Sequence, residues 1–354
     1  MERDTLSFSQ WMAVLCGALL SPAIELLPGS AARAGIAGAA LSGVGIALFG
    51  AAGILAGYLG ADGGSLRAIE KSFGVWGGKG VLFLYLIWGE LLLALRLRLA
   101  AQRMLESGER DGAVWFFILV LGVLAWWMGK GSLGALGRTA QLFFLILAVT
   151  GGAVLALSLG QVETGNFLTG WSWKETGATE LVWPGIQVAG YGSFAMFLYR
   201  SSGEKVGQRW LRVLVWAWLV ATTAQIVIVG RFGPALTQEL GSPFLQLAKS
   251  IGVKGAFQRV ESIVAAVWIF SDLLLLGMLL CSMRRIGVEL TAKASGVTMT
   301  TVEVVFAVVL AAWLGMEMPV KELEKQVVPV GNIVLGIMIP AFTCILLRRK
   351  GENR

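Results

Sequence analysis

Histidine is absent from all 354 residues. That removes the imidazole that most proton relays, general bases and metal sites depend on. The three cysteines, Cys16, Cys281 and Cys344, lie inside apolar stretches at unrelated spacings, which excludes a disulfide framework or a Cys-x-x-Cys metal knuckle. Charge is also scarce: Asp, Glu, Lys and Arg make up 14% of the chain, against ~25% in soluble domains. No G-x-G-x-x-G and no G-K-[ST] motif is present to cradle a phosphate. With no activated nucleophile either, no enzymatic activity, metal or cofactor is expected.

What is there is apolar: 56% hydrophobic residues and a mean hydropathy of +0.74. Such a chain belongs in a lipid bilayer. At ~20 residues per crossing, this length suits about ten transmembrane helices in one permease-like domain covering 1–354. Windows of high hydropathy place them near 8–28, 34–59, 79–101, 113–129, 139–159, 181–200, 210–230, 260–282, 299–316 and 329–347. The leader MERD is not a basic n-region and Glu25 interrupts the first apolar run, so a membrane helix is expected there rather than a cleaved signal.

The net charge of +7 is informative by loop, and is no footprint for nucleic acid. Arg200, Lys205, Arg209 and Arg212 in one loop and the closing run RRK at 348–350 put both termini on the cytoplasmic side by the positive-inside rule. Arg96, Arg98 and Arg103 fall on the wrong side of that assignment.

The first span, WMAVLCGALLSPAIELL at 11–27, carries Gly17, a Ser21-Pro22 pair and Glu25 where a plain anchor would continue in Leu and Val. Proline has no N–H to donate and disfavours helix at the residue before it. Carbonyls around Gly17 and Ala18 are therefore expected to lose their helical partners. Freed backbone at membrane depth survives only against protein or a water-lined cavity. The expected ligand zone is Gly17, Ala18, Ser21 and Pro22, with Glu25 nearer the outer mouth.

Span six is interrupted as well, with Pro184-Gly185 at its start and Gly190-Tyr191-Gly192-Ser193 at its middle. Two glycines around Tyr191 weaken the helix by about 1 kcal/mol each relative to alanine and let a ligand approach the backbone. Span three holds Glu90 at mid-membrane, with Tyr85 and Trp88 on nearly the opposite face. An ionisable group at that depth is a coupling or gating candidate, or else pairs with an arginine of another helix. Span eight aligns Glu261, Ala265, Trp268 and Asp272 on one stripe, with Asp272 deep in the apolar run. An isolated carboxylate there costs roughly 2.5 to 3.5 kcal/mol, so Asp272 must face protein, water or a cation. Before it, Ser242-Pro243 opens an amphipathic segment that is either a surface helix or a lid. The glycines of span two, among them Gly43, Gly45, Gly53 and Gly57, are expected to serve close helix packing.

The two most interrupted spans are thus one and six, five helices apart. That spacing is expected of a 5+5 inverted repeat, here about 8–159 and 181–347, with a binding site at the midplane. Freed N–H groups there suit an anion and freed carbonyls a cation, so an amino acid, which carries both charges, is the favoured guest.

With these residues in view, the chain resembles the spore germination permeases. These are the B subunits of bacterial nutrient germinant receptors, in the amino acid–polyamine–organocation superfamily. The resemblance rests on SPFLQLAKSIG…FQRVESIVAAVWIFSDL, which is similar to the family's Pro-x-x-x-hydrophobic…Arg-x-Glu…Trp-Ile signature, and on SFSQWMAVL, similar to its Ser-x-x-Gln start. It implies an all-α, LeuT-like fold and a nutrient-binding subunit in the spore inner membrane, working with A-type and C-type subunits. The alternative is a proton- or sodium-coupled amino acid transporter that uses Asp272 or Glu90 as its coupling carboxylate.

Overall fold

The computed structural model describes residues 6–61, 64–107, 113–167, 177–198, 206–251, 260–291, 295–317 and 320–352. The side chains of Gly53, Gly57, Arg200, Lys205, Arg209 and Glu261 fall outside what is described. All regular structure among the described residues is helical.

The first crossing is α1 (Phe8–Leu26). The Ser-x-x-Gln start is its N-terminal cap: the Ser7 hydroxyl accepts from Gln10 N–H at 3.3 Å while the Gln10 side chain accepts from Ser7 N–H at 3.1 Å. Two otherwise orphaned donors are satisfied reciprocally. Next, α2 (Pro28–Ala61) turns at Ala34-Gly35, where Gly35 has φ of 58°, so its first turn or two prolong the first crossing and the rest is the second. In α3 (Ser65–Ser107) a second turn, at Gly74 with φ of 77°, separates a short arm from a long crossing. Positive φ at both turns is a conformation glycine adopts without penalty. The hairpin of α4 (Val114–Lys130) and α5 (Leu133–Leu159) completes the first half.

The second half opens on α6 (Ala178–Tyr191), which tightens into a 3-10 segment at Gly192–Phe197. There follow α7 (Val206–Glu239), turned at Gly233-Pro234, and the short α8 (Pro243–Ser250). α9 (Val260–Thr291) and α10 (Gly296–Glu317) are long and regular. The last crossing joins α11 (Val320–Asn332) through a π-helical segment at Ile333–Met338 to α12 (Ile339–Glu352). It begins well before the expected residue 329, which brings Glu324 into the helix.

Among the described residues eight helices are long and apolar enough to cross a bilayer. The 17-residue α4 and the α6–3-10 unit supply the others. The protein is an all-helical integral membrane protein, in which the sixth crossing changes from α-helix to 3-10 at Gly192 while the first carries Pro22 within a continuous helix.

A belt of exposed apolar side chains, including Phe83, Ile87, Phe116, Trp127, Trp216 and Phe306, faces outward where lipid would be. Inside, α1, α3, α9 and the 3-10 segment share the principal core, with Val14, Ala18, Leu92, Leu95, Phe194, Leu274 and Leu275 fully buried. The small residues of α2 do close packing. A Cβ on Gly45 would lie 2.6 Å from Ile186 N, and one on Gly185 would lie 1.9 Å from the Ser42 carbonyl. Gly43 lies under the Trp218 ring, whose indole donates to Ala40 O at 3.2 Å. Backbone-to-backbone approach of this kind is how membrane helices gain contact without a hydrophobic driving force between them.

Candidate functional site

The path of α1 is helical from Phe8 to Leu26, Pro22 included. Its hydrogen-bond ladder lacks one donor, at Pro22. Ser271 of α9 brings its hydroxyl to two backbone groups of the same turn, accepting from Ser21 N–H at 2.8 Å and donating to Gly17 O at 2.6 Å. Gly17 makes the approach possible, since a Cβ there would lie 2.5 Å from Leu274 Cδ1. One residue after Ser21, Pro22 has no N–H to offer the Ala18 carbonyl. The carbonyl freed by proline is thus that of Ala18, while Gly17 O gains a donor from another helix.

The Ser21 side chain opens onto a buried set of charges. Its hydroxyl donates to Asp272 Oδ1 at 2.6 Å and accepts from Arg103 Nη1 at 2.8 Å. Arg103 also reaches Asp272 Oδ1 at 2.9 Å and Glu25 Oε2 at 3.0 Å. Glu25 is shared with Arg96 at 3.4 Å, and Arg96 pairs with Glu324 Oε1 of α11 at 2.5 Å. The Arg96 guanidinium lies 4.5 Å from the Tyr191 ring centroid, and that of Arg103 lies 5.5 Å from the Trp268 ring. Arg96 is 1% exposed, Glu324 2% and Asp272 5%, so these charges have no bulk water to fall back on. Removing one member of such a set leaves an uncompensated charge in the interior. Fully ionised, the five groups comprise two cations and three anions, an excess of one negative charge among the described residues.

Beside Arg103 and Asp272 is a small cavity of about 20 Å3, walled by Ala100, Leu245, Ala265 and Trp268. That is room for about one water molecule in this conformation, far short of the roughly 300–1,000 Å3 of small-molecule sites, so a larger guest needs the surrounding helices to part. The Trp268 indole N–H is buried without a hydrogen-bond partner. The cavity wall therefore combines a guanidinium, a carboxylate and an indole. α8 covers it: Phe244 packs edge-on against Trp268 with ring centroids 5.5 Å apart, and Leu245 lines the wall.

Of the residues singled out from sequence, the structure brings Gly17, Ser21, Tyr191, Trp268 and Asp272 together, with Ala18 and Pro22 in the adjoining turn. Others are placed elsewhere. The Tyr85 hydroxyl donates to Leu335 O, and its ring packs edge-on against Phe194 and Phe197. Trp88 donates to Asn332 Oδ1 at 3.2 Å and lies over Gly331. Gly190 admits Asn332, whose Cγ would be 2.1 Å from a Cβ there, and Gly192 abuts Leu15. These two glycines therefore hold helix contacts in this conformation. Ser193 is half-buried in the 3-10 segment, and Glu90 is outside the ion-pair network.

Arg96, Arg103, Glu25, Glu324 and Ser271 were not expected in the site. Glu25, placed at the outer mouth by its position in the span, instead bridges both arginines. The misplaced basic group was the available signal for two of the others. Arg96 and Arg103 are seven residues apart, two helical turns, so they share one face of α3 and point inward rather than toward a loop. Glu324 had no comparable signal, because the apolar window of the last span excludes it.

No family model matches the sequence, and no curated protein matches it either. Among solved structures, the chain is similar to MhsT in complex with L-phenylalanine, with a TM-score of 0.69 at 16% identity over 96% of this chain and 89% of that one.

Proposed function

We propose that this protein is an amino acid permease that binds its substrate where α1, α3 and α9 meet, and carries it across the membrane without covalent chemistry. The observation that carries the proposal is the Arg103–Asp272–Ser21 cluster, buried beside the small cavity at the proline turn of α1. An amino acid brings one carboxylate and one ammonium. Arg103 and the Trp268 N–H are suited to the first. The carboxyl groups of Asp272 and Glu25 suit the second, and electrostatic complementarity of both signs favours a zwitterion over a sugar. The likeness in fold to MhsT, solved with an amino acid bound, supports the same class of guest. Both termini are assigned to the cytoplasm on the distribution of Lys and Arg. The test is uptake of radiolabelled amino acids by proteoliposomes holding the purified protein. Accumulation above empty liposomes, lost on Asp272→Asn, is the expected result; no accumulation of any amino acid would refute transport.

A second reading keeps the site and changes its output. In it the chain is the membrane subunit of a spore nutrient germinant receptor, and binding is passed to A-type and C-type subunits in the spore inner membrane. One observation favours it: the stretch most similar to the germination permeases supplies α8, which covers the cavity, and the Trp268 and Asp272 walls of α9. Ligand would then act through unequal affinity for two conformations. Ligand-induced thermal stabilisation without uptake, together with co-purification of an A-type subunit, is what this reading expects.

A further inference from the structure

A second group of buried acids lies apart from the central network. Glu303 projects from the second turn of α10 and is 4% exposed, yet neither of its carboxyl oxygens has a hydrogen-bond partner. It lies against α9, with Oε1 3.6 Å from where a Cβ on Gly287 would be. Glu90 of α3, a helix packed on α10, is within electrostatic reach and has a buried Oε2 that is also without a partner. The groups that act on Glu303 from the helices around it are Glu90 and Arg284. Arg284 spends Nη1 on the carbonyls of Gly129 and Gly131, at 2.6 and 2.9 Å. On α4, Lys130 is stacked over the rings of Trp126 and Trp127.

Three buried carboxyl oxygens without donors are costly if both groups are ionised. Two negative charges within electrostatic reach of each other repel, and the buried oxygens have lost their water. A cation must relieve them. A hard metal ion takes about six or more oxygens, so two glutamates would need backbone carbonyls and water to complete its shell. Among the described residues no third acidic or cysteine side chain joins them. A proton needs no such shell. We infer that Glu90 and Glu303 together hold one proton, forming a proton site between α3 and α10 that is distinct from the Arg96–Arg103 network.

The site goes beyond the permease reading and does not depend on it. Its position offers a link, however, because α3 carries Glu90 on one face and the two network arginines on another. Loading or emptying the proton site would shift α3 against α10.

The test is infrared difference spectroscopy of the full-length protein in lipid membranes, following the carbonyl stretch of protonated carboxyl groups. At neutral pH such a band is expected, falling as pH is raised and unaffected when sodium is replaced by choline. Glu303→Gln should abolish it and Glu90→Gln should shift its position. The partly buried Glu90 provides the second variant if the fully buried Glu303 position does not tolerate change. A spectrum that responds to neither substitution, or a band that depends on sodium, overturns the proposal. Because the measurement needs no substrate, it is independent of whether amino acid uptake is observed.

Discussion

Ser271 of α9 is bonded to two backbone groups of α1, its hydroxyl accepting from Ser21 N–H at 2.8 Å and donating to Gly17 O at 2.6 Å. Any sliding of α1 against α9 at this level must break both contacts.

Ser271→Ala removes a donor and an acceptor at once, and with them the tie between α1 and α9, at about 0.5–1.5 kcal/mol per bond. Thermal unfolding in detergent should therefore show a modest fall in midpoint alongside a clear loss of ligand-induced stabilisation. A variant matching the parent in both would show that the Ser271 hydroxyl is incidental.

Arg103 holds Asp272, Glu25 and Ser21 together, so Arg103→Gln leaves two carboxylates without their shared cation. Breaking a buried pair in this way costs about 3–5 kcal/mol. Asp272→Asn alone should cost less, since Arg103 keeps Glu25. The Arg103→Gln/Asp272→Asn double variant should be markedly more stable than the sum of the single losses predicts. Additive losses in a double-mutant cycle would show that the two side chains do not interact.

Gly190→Ala puts a methyl group where Asn332 now lies, and overpacking of this kind costs about 1–3 kcal/mol. Shortening the neighbour with Asn332→Ala should restore much of the stability lost by Gly190→Ala. It should do so at the expense of the bonds Asn332 makes to Gln187 O and Trp88. If Gly190→Ala instead leaves stability intact and abolishes ligand binding, the glycine serves the ligand and not the α11 contact.

α8 closes the cavity through Phe244 and Leu245. Phe244→Ala should loosen that cover without touching the charges. A cysteine placed at Ala265 in a background lacking Cys16, Cys281 and Cys344 should then react faster with a water-soluble thiol reagent. Equal rates with and without Phe244 would mean that α8 does not control access.

The glycines of α2 and the interrupted start of each half were legible in the sequence because their causes are local. A proline lacks its N–H wherever the chain goes, and a helix face crowded with small residues is visible from spacing alone. The ion-pair network was half legible. Asp272, Ser21 and Tyr191 stood out as polar groups in apolar runs, but each partner comes from a remote span. The distance from Ser21 to Arg103 is 82 residues, and from Arg96 to Glu324 it is 228. Nothing in a hydropathy window indicates which polar group another will meet. The orientation rule actively misled at Arg96 and Arg103, since it assumes that arginines near a span end face the loop, and these two face the interior.

By itself, then, the amino-acid sequence determined that the chain crosses a membrane about ten times and that helices one and six are weakened at matching places. Composition and backbone chemistry are enough for that, because bilayer thickness and the missing proline N–H act on each segment separately. Only the tertiary structure decided that a serine hydroxyl of α9 bonds the backbone of α1, that Glu25 bridges two arginines, and that Gly190 makes room for Asn332. Those outcomes depend on which helix faces which. In a low-dielectric interior that pairing is set jointly, by every buried charge and donor having to find its partner at once.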